Sequence, residues 1–394
     1  MKPQPEIRIP VLLFAGYKLY NKAFFNQFPY IFAYSIGGKV VNITLSSVIT
    51  KYLFLWWFEL DVTYSQMVTF VCVSNIVEPL SIFSFLKKTS MNNFYLLLGC
   101  FVIRNAVAVD VFSASIRLAH LQKSVEVPLQ TYILLTIKPV YDATIGIMSG
   151  VLVGLLTALS VRRRGRTVGD FGEIGTIVSS TCFVYFATSI LRVSSLFGVL
   201  AICIVQERYL FMNMKEHNVI AVKNTLEGVA YCLELLFYIF VGYKLLSVDF
   251  SGVYQYCLTA LAASYLAKIL IIGVVSLVIN VWKKSPIKTQ MQGLLVFGGT
   301  KGARSYPLIV SYIGPFSRTF QDMVLLIIVF SVLFDNFISH MLVSSLNKRL
   351  GLLREEDDRE IQMVPGPVER TKNSCFEWLR KKELKFHQYF KCQE

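Results

Sequence analysis

The sequence predicts an all-α protein that crosses a membrane many times. Three observations carry that prediction. Of 394 residues, 54% are hydrophobic and only 16% charged, against about 25% charged in ordinary soluble domains. The apolar residues gather in runs comparable to the ~20 residues that a spanning helix requires. The Lys and Arg residues fall between those runs, and mostly on one side when the runs are taken as alternating spans, which is the bias that orients membrane proteins. The net charge of +14 therefore belongs to loops facing the cytoplasm, and no nucleic-acid partner is expected. The eight Cys are scattered with no CxxC pair, which argues against a disulfide framework or a zinc site. Met1 to Pro10 is polar and holds three prolines, unlike a cleavable signal peptide.

About eleven apolar segments follow in order: Ile9–Leu19, Tyr30–Trp57, Met67–Leu86, Phe94–Leu118, Leu129–Ser160, Gly175–Leu191, Ser194–Val205, Thr225–Leu246, Tyr254–Val281, Met291–Ile313 and Met323–Leu346. The first and seventh are short, as expected of tilted, buried or re-entrant stretches. With the C-terminus placed in the cytoplasm, fourteen Lys and Arg fall inside, among them Arg162, Arg163, Arg164 and Arg166. Five fall outside: Lys2, Arg8, Lys123, Arg192 and Arg318. The polar tail, residues 351–394, is then cytoplasmic. It ends in FEWLRKKELKFHQYF, whose interleaved basic and aromatic residues leave a solvated tail and contact with anionic lipid both open.

Two segments break the apolar rule in mid-run. The third reads SNIVEPLSIF, with Glu78 and Pro79 near its middle. Proline removes an amide donor and disturbs the preceding turn. The tenth reads VFGGTKGARSYPL, with Gly298, Gly299 and Gly302 around Lys301. Backbone groups freed by such breaks need partners in protein or a wet cavity, because lipid offers none. One break is commonly a packing kink. An early and a late break, each carrying a charge, point to a transporter built on paired repeats. Further charges lie inside apolar runs: Arg104, Asn105 and Asp110 in the fourth segment, Glu234 in the eighth, Lys268 in the ninth and Asp335 in the eleventh. Each ionisable group costs roughly 2.5–3.5 kcal/mol to insert, so these should face each other or a cavity. Lys39 and Lys51 are expected at interfaces, where a lysine can snorkel. Asp142 is expected at an interface or in helix pairing.

These segments in this order resemble the sodium/proton exchanger family of monovalent cation/proton antiporters. VEPLSIF is similar to the family's Asp-Pro on a broken helix. RNAVAVDVF lies where the family has an Asn-Asp-Ala-Val run. CLELLFYIFVG, AKILIIGVV and FGGTKGA are similar to its Glu-bearing helix, its Arg-bearing helix and its Gly-Gly-Leu-Arg-Gly-Ala break. The resemblance covers most of residues 9–350. It implies inverted repeats with two crossing broken helices and a transmembrane domain over residues 1–350. That domain would comprise a core (24–120 and 252–346), a scaffold (1–23 and 175–246) and a linking helix (129–161). Counted against the family, the segments begin at the third span, two scaffold helices short, so a homodimer built on those helices is in question.

What the resemblance implies for the site is altered by the residues present. Arg104-Asn105 stands where the family has Asn-Asp, so the cation-binding acid is an amide. Asp110 lies five residues further on, about 140° round a helix, and does not simply replace it. Glu78 keeps the charge of the family's aspartate and is the group that would neutralise Arg104. Lys268 and Lys301 replace arginines. Lys268 can surrender a proton when desolvated, and Glu234 would be its ion-pair partner. The implied function is exchange of Na+ or K+ for H+ by alternating access, serving pH and cation homeostasis. Glu78, Asn105, Arg104, Asp110 and Lys268 would lie at the ion and proton site. The implied partners are the transported ions and membrane lipid, with no cofactor and no metal beyond the transported cation. The membrane is the plasma membrane or an endomembrane. The alternative is a transport-inactive relative with a binding or regulatory role, motivated by Arg104-Asn105. No Ser/His/Asp set, His cluster or phosphate loop suggests an enzyme. His120, His217, His340 and His387 fall near segment boundaries.

Overall fold

The structure, a computed structural model, describes residues 15–59, 62–78, 91–121, 129–164, 170–248, 250–282, 287, 289–298, 301–312, 314 and 316–350. Pro79, Gly299 and the tail 351–394 lie outside them, as does most of the first apolar segment. The described residues are helical almost throughout, and eight helices are long and apolar enough to cross a membrane.

The second apolar segment is longer than its sequence pattern. Helix α1 (Lys22–Phe32) starts at Asn21, whose side chain accepts the Ala23 amide at 2.9 Å. That bond satisfies one of the unpaired donors of a helix start. Pro29 lies inside α1 and supplies no amide. A π turn at Ala33–Gly37 follows, then α2 (Gly38–Phe58). Such wide turns absorb a disturbed helical ladder without ending the helix.

Helix α3 (Tyr64–Ser74) begins at extended Thr63, whose amide bonds the Gln66 side chain at 3.1 Å. It ends at Asn75, whose side-chain amide returns to the Val71 carbonyl at 3.0 Å. The chain then leaves the helix through Ile76, Val77 and Glu78, with Val77 in a bridge. Helices α4 (Met91–Leu121), α5 (Leu129–Arg164), α6 (Asp170–Ile190) and α7 (Ser195–Val205) follow. The short seventh apolar segment is thereby placed. Helix α7 continues through a π turn and a 3-10 turn to Asn213 and packs closely on α5 and α6, with Val199, Ile202 and Cys203 fully buried. Gln206 is tolerated there because Tyr17 donates to its carbonyl at 2.6 Å and its amide donates to Ser180 at 2.8 Å.

Helices α8 (Glu216–Leu245) and α9 (Phe250–Trp282) lead to the second interrupted segment. This consists of α10 (Thr289–Phe297) and α11 (Ser305–Val310), and the long α12 (Ser317–Leu350) closes the described chain. The two breaks meet. Val77 and Lys301 pair as an isolated antiparallel bridge, and the Gly302 amide bonds the Ile76 carbonyl at 3.1 Å. Backbone groups released by one break are thus used by the other. Buried side chains of α1, α4 and α10 form one apolar cluster beside this crossing, and those of α3, α9 and α12 form a second.

Candidate functional site

The crossing gathers charges from four helices and from the two breaks themselves. Glu78 is fully buried at the end of the first break. Its carboxylate accepts Nε of Arg304 at 3.1 Å and also Nη2 of the same guanidinium, a two-pronged ion pair across the crossing. The sequence expectation that Glu78 neutralises Arg104 is therefore corrected. Arg104, on α4, turns instead to α10, where its Nη1 donates to the Leu295 carbonyl at 3.0 Å. Arg304 comes three residues after Lys301 in the same break. A second cation in one break called for an anion, and Glu78 was the acid of the other.

Gly302 explains how the strands approach so closely. A Cβ there would lie 2.6 Å from Oε2 of Glu78. Gly298 sits at the end of α10 with its amide on the Leu294 carbonyl at 2.7 Å.

Asn105 is at the crossing but is spent on backbone. Its Oδ1 accepts the Val77 amide at 2.9 Å and its Nδ2 donates to the Val77 carbonyl. The carboxamide acts as an extra strand edge, pairing both polar groups of one residue. Asp110 is not at the crossing. It accepts the Ser194 hydroxyl at 2.8 Å near Asp142, which itself lies beside Lys138 at 3.5 Å and Arg117 at 3.8 Å. The rotation of about 140° between positions 105 and 110 places them on different helix faces.

Three lysines enter the crossing from different elements. Lys39, expected at an interface, is buried and donates to the Asn75 carbonyl at 2.8 Å. The carbonyl lies at the end of α3, where helical partners run out. Lys301 donates to the Asn75 side-chain oxygen at 3.3 Å, and that oxygen also accepts Ser264 at 2.9 Å. Lys268 and Lys301 both lie over the Tyr265 ring, at 5.3 and 5.6 Å, and their ends reach one another. The acid whose charge acts on both is Asp335 on α12, only 2% exposed, and among the described residues no ion pair within 4 Å joins it to either lysine. It accepts the hydroxyls of Tyr265 and Ser331, and Ser331 in turn accepts the Lys301 amide at 2.6 Å.

The expected ion pair between Glu234 and Lys268 is not formed. Glu234 is buried on α8, which packs on α12 and α6. Among the described residues no ion pair joins it to Lys268, whose charged neighbours are Lys301, Lys39 and Asp335.

A family model described as "Sodium/hydrogen exchanger, transmembrane" matches residues 6–344. The chain belongs to the sodium/hydrogen exchanger family. Sodium/hydrogen exchanger 3 of Mus musculus is 22% identical over 309 residues, covering 76% of this chain and 37% of that protein. An uncharacterized Na+/H+ antiporter of Schizosaccharomyces pombe is 21% identical over 389 residues, covering 93% of this chain and 67% of that protein. The chain thus spans well under half of the mouse exchanger. The fold matches the sodium proton antiporter of Methanocaldococcus jannaschii with a TM-score of 0.66 at 13% identity, over 87% of this chain and 84% of that one. This chain combines the crossed breaks with Arg104 and Asn105 on α4, an arginine clamp on Glu78, and a buried acid on α12.

Proposed function

We propose that this chain is a monovalent cation/proton antiporter that works by alternating access, moving Na+ or K+ against H+ and so setting pH and cation content across its membrane. The observation that carries the reading is the crossing itself: two interrupted segments bridged at Val77 and Lys301 inside an otherwise apolar bundle. Irregular backbone of this kind is tolerated at depth where it lines an ion path. The buried amines of Lys268 and Lys301 beside it can hold and release a proton. The names of the relatives and the structural neighbour support the same reading. In this reading residues 24–120 and 252–346 move as the core against a scaffold that includes 175–246, with 129–161 as the linking helix.

The test is purified protein in vesicles with a pH-sensitive dye inside. An imposed gradient of Na+, K+ or Li+ should drive a saturable change of internal pH for at least one of them. Traces that match protein-free vesicles for all three cations would refute the reading.

A further inference from the structure

Among the described residues, the buried cations at the crossing outnumber the acids. Glu78 and Arg304 neutralise each other. Arg104 and Lys39 place their donors on the backbone carbonyls of Leu295 and Asn75, which meets their hydrogen bonds and leaves their positive charges standing. That leaves Lys268 and Lys301, end to end over the Tyr265 ring, against the one carboxylate of Asp335. Ammonium groups only donate hydrogen bonds. Two lysine ends in reach of each other are best accommodated when they hold one proton between them, the neutral amine accepting from its neighbour. A single proton on the lysine pair then offsets the single charge on Asp335, beside the standing charges of Arg104 and Lys39.

A transported alkali cation needs a hard, anionic oxygen that is not already committed. Glu78 is committed to Arg304 by both oxygens. Asn105 is committed to Val77 by both side-chain atoms. Asp110 faces Ser194 away from the crossing. Among the described acids at the crossing, Asp335 is what remains. Its hydrogen bonds among the described residues come from two neutral hydroxyls, Tyr265 and Ser331, whose oxygens keep lone pairs for a cation.

Resting on the antiporter reading above, we propose that Asp335 is the carboxylate that binds the transported cation in this chain, with Tyr265 and Ser331 as neutral oxygen ligands and the Lys268–Lys301 pair as the proton store. In the proton-loaded form an ammonium is the counter-ion of Asp335. When one N–H bond of that ammonium breaks, the electron pair stays on nitrogen and the proton passes to water. The carboxylate is left without a counter-charge, and one alkali cation takes the vacated position. One positive charge leaves as one enters, so the buried centre keeps a constant charge through the exchange. Ser331 connects this event to the crossing, because the hydroxyl that donates to Asp335 also accepts the Lys301 amide of the bridge.

The test pairs a binding readout with the vesicle assay on the full chain. Thermal unfolding in detergent is followed against NaCl, KCl or LiCl, with choline chloride holding ionic strength. The native protein should be stabilised by at least one alkali cation, with a midpoint that shifts to higher concentration as pH falls. Asp335→Asn should lose both the stabilisation and its pH dependence, and Asp335→Glu should keep the response with an altered midpoint. If Asp335→Asn alone fails to fold, Asp335→Asn with Lys268→Met removes both charges, and the same loss is expected. A folded Asp335→Asn or double variant that keeps the native cation midpoint overturns the proposal. If such a variant also leaves exchange unchanged, the antiporter reading survives without Asp335. A cation response that depends on Asp335 in a chain with no exchange supports the site and refutes antiport. A native chain with neither response nor exchange overturns both.

Discussion

Glu78 and Arg304, 226 positions apart in sequence, form a two-pronged ion pair across the crossing of the two interrupted segments. The Glu78 side chain is fully buried and that of Arg304 is 14% exposed. Removing one partner of such a pair leaves the other charge uncompensated and costs roughly 3–5 kcal/mol, whereas replacing both by apolar groups of similar size costs far less. Arg304→Met is therefore expected to lower the unfolding temperature more than Arg304→Met combined with Glu78→Leu. Thermal unfolding of the three proteins in detergent decides it. A double variant less stable than the single would show that the pair does not hold the crossing.

The approach of the two breaks depends on Gly302. A methyl group there would press on a Glu78 oxygen at 2.6 Å. That oxygen cannot swing aside freely, because Arg304 holds it. Overpacking of this kind costs about 1–3 kcal/mol. Gly302→Ala should lose stability in that range, and it should cost less when made in a Glu78→Ala background than when made in the native protein. A fully stable Gly302→Ala protein would mean that the strands separate without cost.

Asn105 holds Val77 through a donor and an acceptor at once. Asn105→Asp keeps the acceptor and turns the donor into a carboxylate oxygen facing the Val77 carbonyl. Leaving a buried backbone group unpaired costs about 1–3 kcal/mol, and the new charge adds to it. The variant is expected to be less stable than native and no faster in the vesicle assay, although it restores the acid of the family pattern. Faster exchange would show that position 105 still serves the ion.

The bundle and its crossing were legible because they are written in local pattern. Apolar runs gave the helices. A proline with a glutamate in one run, and three glycines with a lysine in another, marked the breaks. The partners were not legible in the same way. Glu78 had two arginines to choose from, and nothing in SNIVEPLSIF says that it takes Arg304 over Arg104. Lys39 reads as an interfacial lysine until the end of α3 supplies an unused carbonyl at Asn75. Glu234 and Lys268 were matched as opposite charges in neighbouring apolar runs. Which faces of α8 and α9 meet is a tertiary fact, and Lys268 points to the crossing instead. Asp335 does carry a mark in the sequence, since Ser331 lies one turn before it on the same face.

The packing of the short helix α7 on α5 is the last feature that can be tested. Gly146, Gly150 and Gly154 recur every fourth residue along α5, a spacing that lets membrane helices approach closely. A Cβ at Gly150 would lie 2.2 Å from the Gly198 carbonyl of α7, and one at Gly146 would lie 2.3 Å from the Ser194 carbonyl. Both contacts are with backbone, which cannot rotate away. Gly175 on α6 is the internal control, because a Cβ there meets nothing within 4 Å. Alanine is favoured over glycine in an open helical position by about 1 kcal/mol, so Gly175→Ala should be neutral or stabilising. Gly150→Ala should instead cost about 1–3 kcal/mol as the helices are forced apart. Thermal unfolding of the two single variants should move in opposite directions from native, or leave Gly175→Ala unchanged while Gly150→Ala falls. Equal stability of both would mean that α7 is not seated on α5 through this glycine face.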